Sequence, residues 1–323
     1  MAYASVLGHD RVKELLARAV QRGRLPPALL LSGPEGVGKR TLALSVSRAL
    51  LCEKANGDCC DRCAACSRAL RRLHPDLFLV EPETAVIKIE QVRDLVREIS
   101  GLPFEGRARA FVVDQAHVLT EQAANALLKS LEEPPATSHV FLVTASPQAL
   151  LPTIRSRCHT LRFGPLPQAA LVAYLRERIG LAPEDARLRA SLAGGSLGAA
   201  VAFESDEFKK LRNELLTILE RVESLSVLER MEAAEGLVEH ADLALVLTAL
   251  RSLLRDALAL RAGASAQSLL NTDVADRLMA VARGPVGERA GAVADAAEET
   301  RVALRGNAHK LLSVDALLET LAV

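Results

Sequence analysis

The chain has 323 residues, half of them hydrophobic and a quarter charged, enough for two or three domains with their own cores. Lys plus Arg and Asp plus Glu both number 40, so the formal net charge is zero, which argues against a stand-alone protein that grips DNA by its phosphates and leaves DNA contact to a larger assembly. Aromatic residues are only 3% of the chain, too few for a single-strand stacking platform, and no apolar run approaches the roughly 18 residues of a membrane span.

The N-terminus, MAYASVLGHDRVKELLARAV, lacks a signal-peptide apolar core. The cytoplasm is therefore the expected compartment, where clustered thiols point to metal before disulfides. Val12, Leu15, Leu16, Ala19 and Val20 recur at helical spacing and predict a helix over 5–22. Pro26 and Pro27 break the chain, and ALLLSG (28–33) is a short apolar run ending in glycine, the pattern of a buried parallel strand. A loop and a helix to about Leu51 follow, then a cysteine-rich insert over 52–66. LFLV (77–80), RAFVVD (109–114) and HVFLVTAS (139–146) are further strands, and residues 120–133 form a helix stopped by Pro134 and Pro135. Strand and helix thus alternate, as in a parallel α/β sheet.

After about Gly164 the strand-like runs stop. Residues 165 to about 205 predict a small helical domain, and from Phe208 the chain reads helical almost to its end. Phe208, Leu211, Leu215, Leu219 and Val222 form one stripe; Leu243, Leu247, Leu250, Leu254 and Leu258 form another. Core packing in a helical bundle is the reading taken for both. A loop is expected at 263–268.

The first strand leads into GPEGVGKRT, residues 33–41. Gly33, Gly38 and Lys39 fit the G-x-x-x-x-G-K phosphate loop, between a strand and a helix as that motif requires. Pro34, Glu35, Gly36 and Val37 complete the turn, whose N–H groups face inward with the helix N-terminus behind them. The next position should carry a hydroxyl for magnesium, yet it is Arg40. Thr41 comes one residue late, a rotation of about 100 degrees on a helix, and should point away from a metal. FVVDQAH (111–117) ends a strand in Asp114, where a metal-supporting aspartate sits. Gln115 follows it, and an amide orients a water without taking its proton.

NALLKSLEEPP (125–135), TAS (144–146) and IRSRC (154–158), in this order after a phosphate loop, resemble the AAA+ subunits of bacterial DNA polymerase III clamp loaders. The resemblance covers roughly residues 5–205 by motif and the last third by length and helicity. It implies that Arg157, in the Ser156-Arg157-Cys158 triplet, reaches across a subunit interface as an arginine finger to a neighbour's ATP, where a guanidinium stabilises charge on the transferring phosphate. Arg40, Gln115 and Gly198 depart from the hydrolysing tau/gamma motor, Gly198 within GGSLGAAV (194–201), where the motor carries a sensor arginine. Three departures at separate positions look like the delta-prime branch, whose own site is idle.

Five of six cysteines lie in CEKANGDCCDRCAAC, residues 52–66. Cys60, Cys63 and Cys66 have the spacing C-x2-C-x2-C, and Cys52 at the end of the preceding helix can supply a fourth thiolate to a closed structural zinc site. The clamp-loader family carries a similar insert, with a first gap one residue longer than Cys52 to Cys60. Cys59 therefore competes with Cys60; equal later gaps select Cys60 and leave Cys59 spare. An iron–sulfur cluster could use four cysteines, and RALRRLH (68–74) could serve a DNA-reading finger, but a solvated helix face is the simpler reading. His74, followed by Pro75, is a poor ligand. Cys158 is expected to pack beside its triplet.

The expected architecture is an AAA+ core over 1–164 with a parallel sheet and zinc insert, a helical lid over 165–205, and an all-α collar over 206–323. By resemblance the chain caps a five-subunit partial ring of delta, three motors and delta-prime, and helps load the sliding clamp on primer-template DNA. It is then part of the DNA polymerase III holoenzyme, with no membrane partner, and ATP bound at most without turnover. The alternatives are an ATP-hydrolysing tau/gamma-type motor and a zinc-stabilised scaffold without a catalytic role in trans.

Overall fold

The computed structural model describes residues 2–54, 56–239, 242–305 and 308–322. These form two compact units, one comprising Met1–Leu175 with Ala193–Val201 and the other Arg176–Leu192 with Ala202–Val323.

The first unit is built on a five-stranded, all-parallel sheet in the order β2-β3-β4-β1-β5. Helix α1 (Asp10–Gln21) starts later than residue 5, because Gly8 (φ 66°) and His9 (φ 55°) take left-handed conformations that a helix cannot continue through. Then come β1 (Ala28–Ser32), α2 (Lys39–Leu51), α3 (Ala64–Leu70), β2 (Leu77–Val80), α4 (Ile89–Ile99), β3 (Arg109–Val113), α5 (Glu121–Glu132), β4 (Ser138–Thr144), α6 (Pro152–Arg155), β5 (His159–Arg162) and α7 (Gln168–Tyr174). All five residues of β1 and of β3 are buried. Alternation along the strands divides the core in two. Leu29, Leu31, Ala110, Val112, Phe141 and Val143 face α1 and α2; Leu30, Phe111, Val113, Val140 and Leu142 face α4 and α5. Leu42, Ala43, Val46 and Ala49 of α2 are wholly buried, so truncating Leu42 to Ala should cost about 2–5 kcal/mol.

The elements of this unit not read from sequence include α4, β5 and the short α6. Helix α4 presents Val92, Leu95 and Ile99 to the sheet. Strand β5 lies at the sheet edge beside β1, and its residues are largely exposed, so no apolar run marks it. Helix α9 (Leu197–Ala202), which follows α8 (Pro183–Leu192) in the chain, brings residues through Val201 back into this unit.

The second unit contains α8, α10 (Ser205–Arg221), α11 (Val227–Glu239), α12 (Leu243–Arg261), α13 (Ala275–Arg283), α14 (Pro285–Arg305) and α15 (Lys310–Ala322). The stripe from Phe208 to Val222 is buried throughout. Along α12, Leu243, Leu247, Leu250 and Leu254 are buried but Leu258 is 38% exposed, because Ala257 and Leu260 take the inward positions at the helix end. The bundle also holds a polar knot. Asp256 accepts the backbone N–H of Leu270 and Asn271, and Arg212 meets both carboxylate oxygens of Asp273 at 2.7 Å.

Candidate phosphate loop and metal centre

A parallel sheet places its ligand chemistry at the carboxyl ends of its strands. There, β1 ends at Ser32, paired with Thr144, and the chain turns through residues 33–38 into α2. Gly33 makes this turn possible: its φ is 150°, and any Cβ would run into the carbonyl of Phe163. Gly36 and Gly38 also have positive φ, and Gly38 caps α2. Among the described residues, the backbone N–H groups of Gly36 to Arg40 donate to no backbone carbonyl, which leaves them available to an anion. His9, not singled out from the sequence, braces the loop from beneath. Its Nε2 lies 3.0 Å from the Val37 carbonyl oxygen and its ring packs edge-on against Phe163.

Lys39 is buried, and its ammonium donates to the carbonyls of Gly33, at 2.7 Å, and Pro34. Burial lowers its pKa; Asp114 and Glu35 oppose that shift. Arg40 points to the neighbouring strand ends. Its guanidinium pairs with Glu81 and lies 3.3 Å from Asp114 Oδ2. The other oxygen, Oδ1, accepts the Gln115 N–H at 3.0 Å, with Gln115 in a left-handed turn (φ 50°). Both carboxylate oxygens of Asp114 are therefore engaged. Glu81, missed in the sequence, sits just beyond Val80, which pairs with Val113; only that register brings it beside Asp114. Thr41 is exposed. Gly198 opens α9 against the loop, its N–H donating to the Gly36 carbonyl.

Arg157 lies between α6 and β5. Its guanidinium donates to Glu132 Oε1 at 2.9 Å and to the Thr153 carbonyl at 3.1 Å. Glu132, at the end of α5, was not anticipated as its partner. Cys158 packs against the α4–α5 core, and burial pushes its thiol up to about 12.

The thiols of Cys52, Cys60, Cys63 and Cys66 converge, with all four sulfurs within 4.8 Å of one another. Residue 55 of the insert lies outside the described residues. Cys52 ends α2 and Cys63 begins α3, so two helix termini carry the turn. Sulfurs 2.3 Å from a tetrahedral zinc would be roughly 3.8 Å apart; Cys60 and Cys66 are 3.9 Å apart. Backbone N–H groups point at the sulfurs, Cys60 to Cys52, Cys63 to Cys60 and Cys66 to Cys63, each at 3.4 Å. The N–H groups of Arg62 and Cys63 bring the Cys60 thiol down to about 6, while burial raises that of Cys66, so it is the convergence of the four sulfurs that suits a metal. The donor set therefore fits a structural zinc ion. Cys59 packs beside this set without joining it, its thiol donating to Asp61 Oδ1 at 2.8 Å, and His74 is buried with Nδ1 accepting the Asp76 N–H.

Residues 8–167 match the family model described as DNA polymerase III, delta subunit. Over this segment, just under half of the chain, the sequence is similar to that family. It is 36% identical over 210 residues to DNA polymerase III subunit delta' of Bacillus subtilis, covering 65% of this chain and 64% of the relative. It is 37% identical over 201 residues to the Escherichia coli subunit delta', covering 61% and 60%. With the Escherichia coli subunit tau the identity is 31% over 248 residues, covering 72% of this chain and 38% of tau. The chain thus spans less than two thirds of the length of these relatives.

Proposed function

We propose that this chain is a delta-prime-type, non-hydrolysing subunit of a DNA polymerase III clamp loader that supplies Arg157 in trans to a neighbouring motor's ATP. The observation that carries the idle-site half is the Arg40–Asp114 pair. It sets a guanidinium against the aspartate that would support magnesium, while Gln115 stands where a hydrolytic glutamate belongs. Similarity to two delta' subunits supports the assignment. In this reading residues 1–164 are the AAA+ core, 165–205 the lid and 206–323 the collar that joins the subunits. Zinc, held by Cys52, Cys60, Cys63 and Cys66, closes the insert and takes no part in reaction. Arg157 is tethered by Glu132 at the surface, and an exposed ion pair of about 0–1 kcal/mol yields readily to a phosphate. The partners are then tau/gamma and delta, with the sliding clamp and primer-template DNA met through the complex.

The similarity to tau supports one rival, a hydrolysing motor. Two assays decide. The purified chain should show no magnesium-dependent ATP turnover, and Arg157→Ala in the reconstituted loader should silence the one ATP site it serves, cutting the ATPase of a three-motor loader by about a third or more without dissociating it. Turnover by the chain alone that disappears in Lys39→Ala makes it a motor. An intact complex with unchanged ATPase leaves only a scaffold.

A further inference from the structure

Magnesium does not fit this site. A divalent ion at a phosphate loop needs a hydroxyl on the residue after the lysine and an open carboxylate oxygen from the neighbouring strand. Position 40 offers a guanidinium, which has no lone pair to give, and its positive charge lies 3.3 Å from Oδ2 of Asp114, the carboxylate such an ion would use, while Oδ1 accepts the Gln115 N–H. The charges close without a metal as well. Lys39, Arg40 and Arg72 face Glu35, Glu81 and Asp114, and Arg72 holds Glu81 Oε2 at 3.2 Å. A neutral hydroxyl at position 40 would leave one negative charge unbalanced, the deficit a divalent ion would cover. The anion-binding part of the loop is nevertheless intact: positive-φ glycines, unpaired N–H groups from Gly36 to Arg40, and an ammonium resting on two neutral carbonyls that a phosphate can replace.

We infer that Arg40 is the resident cation of this site, fixed by Glu81 and Asp114 where a metal would stand, so that the loop takes a polyphosphate chain without a divalent ion. This rests on the reading of residues 33–41 as a non-hydrolysing phosphate loop, and not on the role given to Arg157. Failure of the Arg157 assay therefore leaves it standing, while turnover by the chain would remove both.

The test uses the full-length, zinc-loaded chain and a fluorescent N-methylanthraniloyl ATP, with inorganic tripolyphosphate as competitor. Titrations are run with magnesium and in buffer stripped over chelating resin, which spares the cysteine site. Dissociation constants within about threefold of each other, with displacement by tripolyphosphate, are the expected result. Binding that requires magnesium, or no binding in either buffer, overturns the proposal. Arg40→Thr should bind at least about tenfold more weakly in stripped buffer and recover with magnesium; if it binds like the native chain there, Arg40 is not the cation. Should Arg40→Thr lose its zinc and its fold, Arg40→Lys keeps a charge at the site and should retain metal-independent binding, and its loss would equally overturn the proposal.

Discussion

The Gly36 carbonyl accepts the Gly198 N–H at 3.0 Å, and a Cβ on Gly198 would lie 3.1 Å from the Gly36 Cα. The start of α9 is thus packed against the backbone of the phosphate loop. Gly198→Arg must push the loop away. Overpacking costs about 1–3 kcal/mol, offset by up to about 1 kcal/mol for removing a helical glycine. The unfolding midpoint should fall by about 2–4 °C, with no ATP turnover gained because Arg40 and Gln115 remain. A calorimetric scan and a phosphate-release assay on one preparation check both. An unshifted midpoint would mean that the loop yields freely.

The cysteine geometry predicts one zinc per chain and separates the two adjacent thiols. Cys60→Ser and Cys66→Ser should lose the metal and destabilise the insert, whereas Cys59→Ser should keep a full complement. Atomic emission on the purified variants reads this directly. A Cys59→Ser protein without zinc would show that the ligand set is wrong.

Arg212 is almost wholly buried, and its partner Asp273 is half exposed. The hydrogen bond from Arg212 holds the Asp273 carboxyl below the ordinary carboxylate range. A lowered folded pKa means that this contribution is complete above the unfolded pKa near 4 and is lost as the pH falls through the folded value. Asp273→Asn should therefore cost about 1–3 kcal/mol at pH 7, below the 3–5 of a fully buried pair because water screens the carboxylate. Urea titrations should show this difference shrinking below about pH 4. A deficit that stayed constant with pH would assign the loss to packing.

Asp76 has no exposed surface and accepts the N–H groups of Phe104 at 2.8 Å and Glu105 at 2.7 Å, with Arg109 Nε 3.2 Å away. Asp76→Ala strands two buried donors and part of a guanidinium, and should cost at least about 3 kcal/mol in chemical denaturation. Phe104→Ala is the control. That ring is 80% exposed, and its removal should change stability by less than about 0.5 kcal/mol.

What could be read in the sequence follows from which contacts are local. The strands β1, β3 and β4 are buried on both faces, so their apolar runs are continuous; β5 is an exposed edge and leaves no such mark. The phosphate loop and the cysteine spacing are short-range patterns, and the four predicted thiols do converge. Arg40 was legible as a departure, but not what it does, since Glu81 becomes its neighbour only through the β2–β3 register. Glu132 reaches Arg157 across 25 positions, and Asp76 reaches Phe104 across 28. Pairings over such separations are set by the folded sheet, and no periodicity announces them.

Helix α2 joins the two sites end to end. It leaves the phosphate loop at Lys39 and delivers Cys52 to the cysteine cluster, a span of 13 residues or about 20 Å. Between those ends it is core, lying against the central strands. The glycine turn ahead of it is therefore part of the wiring that folds the domain, needed to steer the chain from β1 into a buried helix whether or not a nucleotide ever arrives. A chain built this way can change the side chains around the loop one at a time and still keep its outline, because the glycine turn is held by the fold itself.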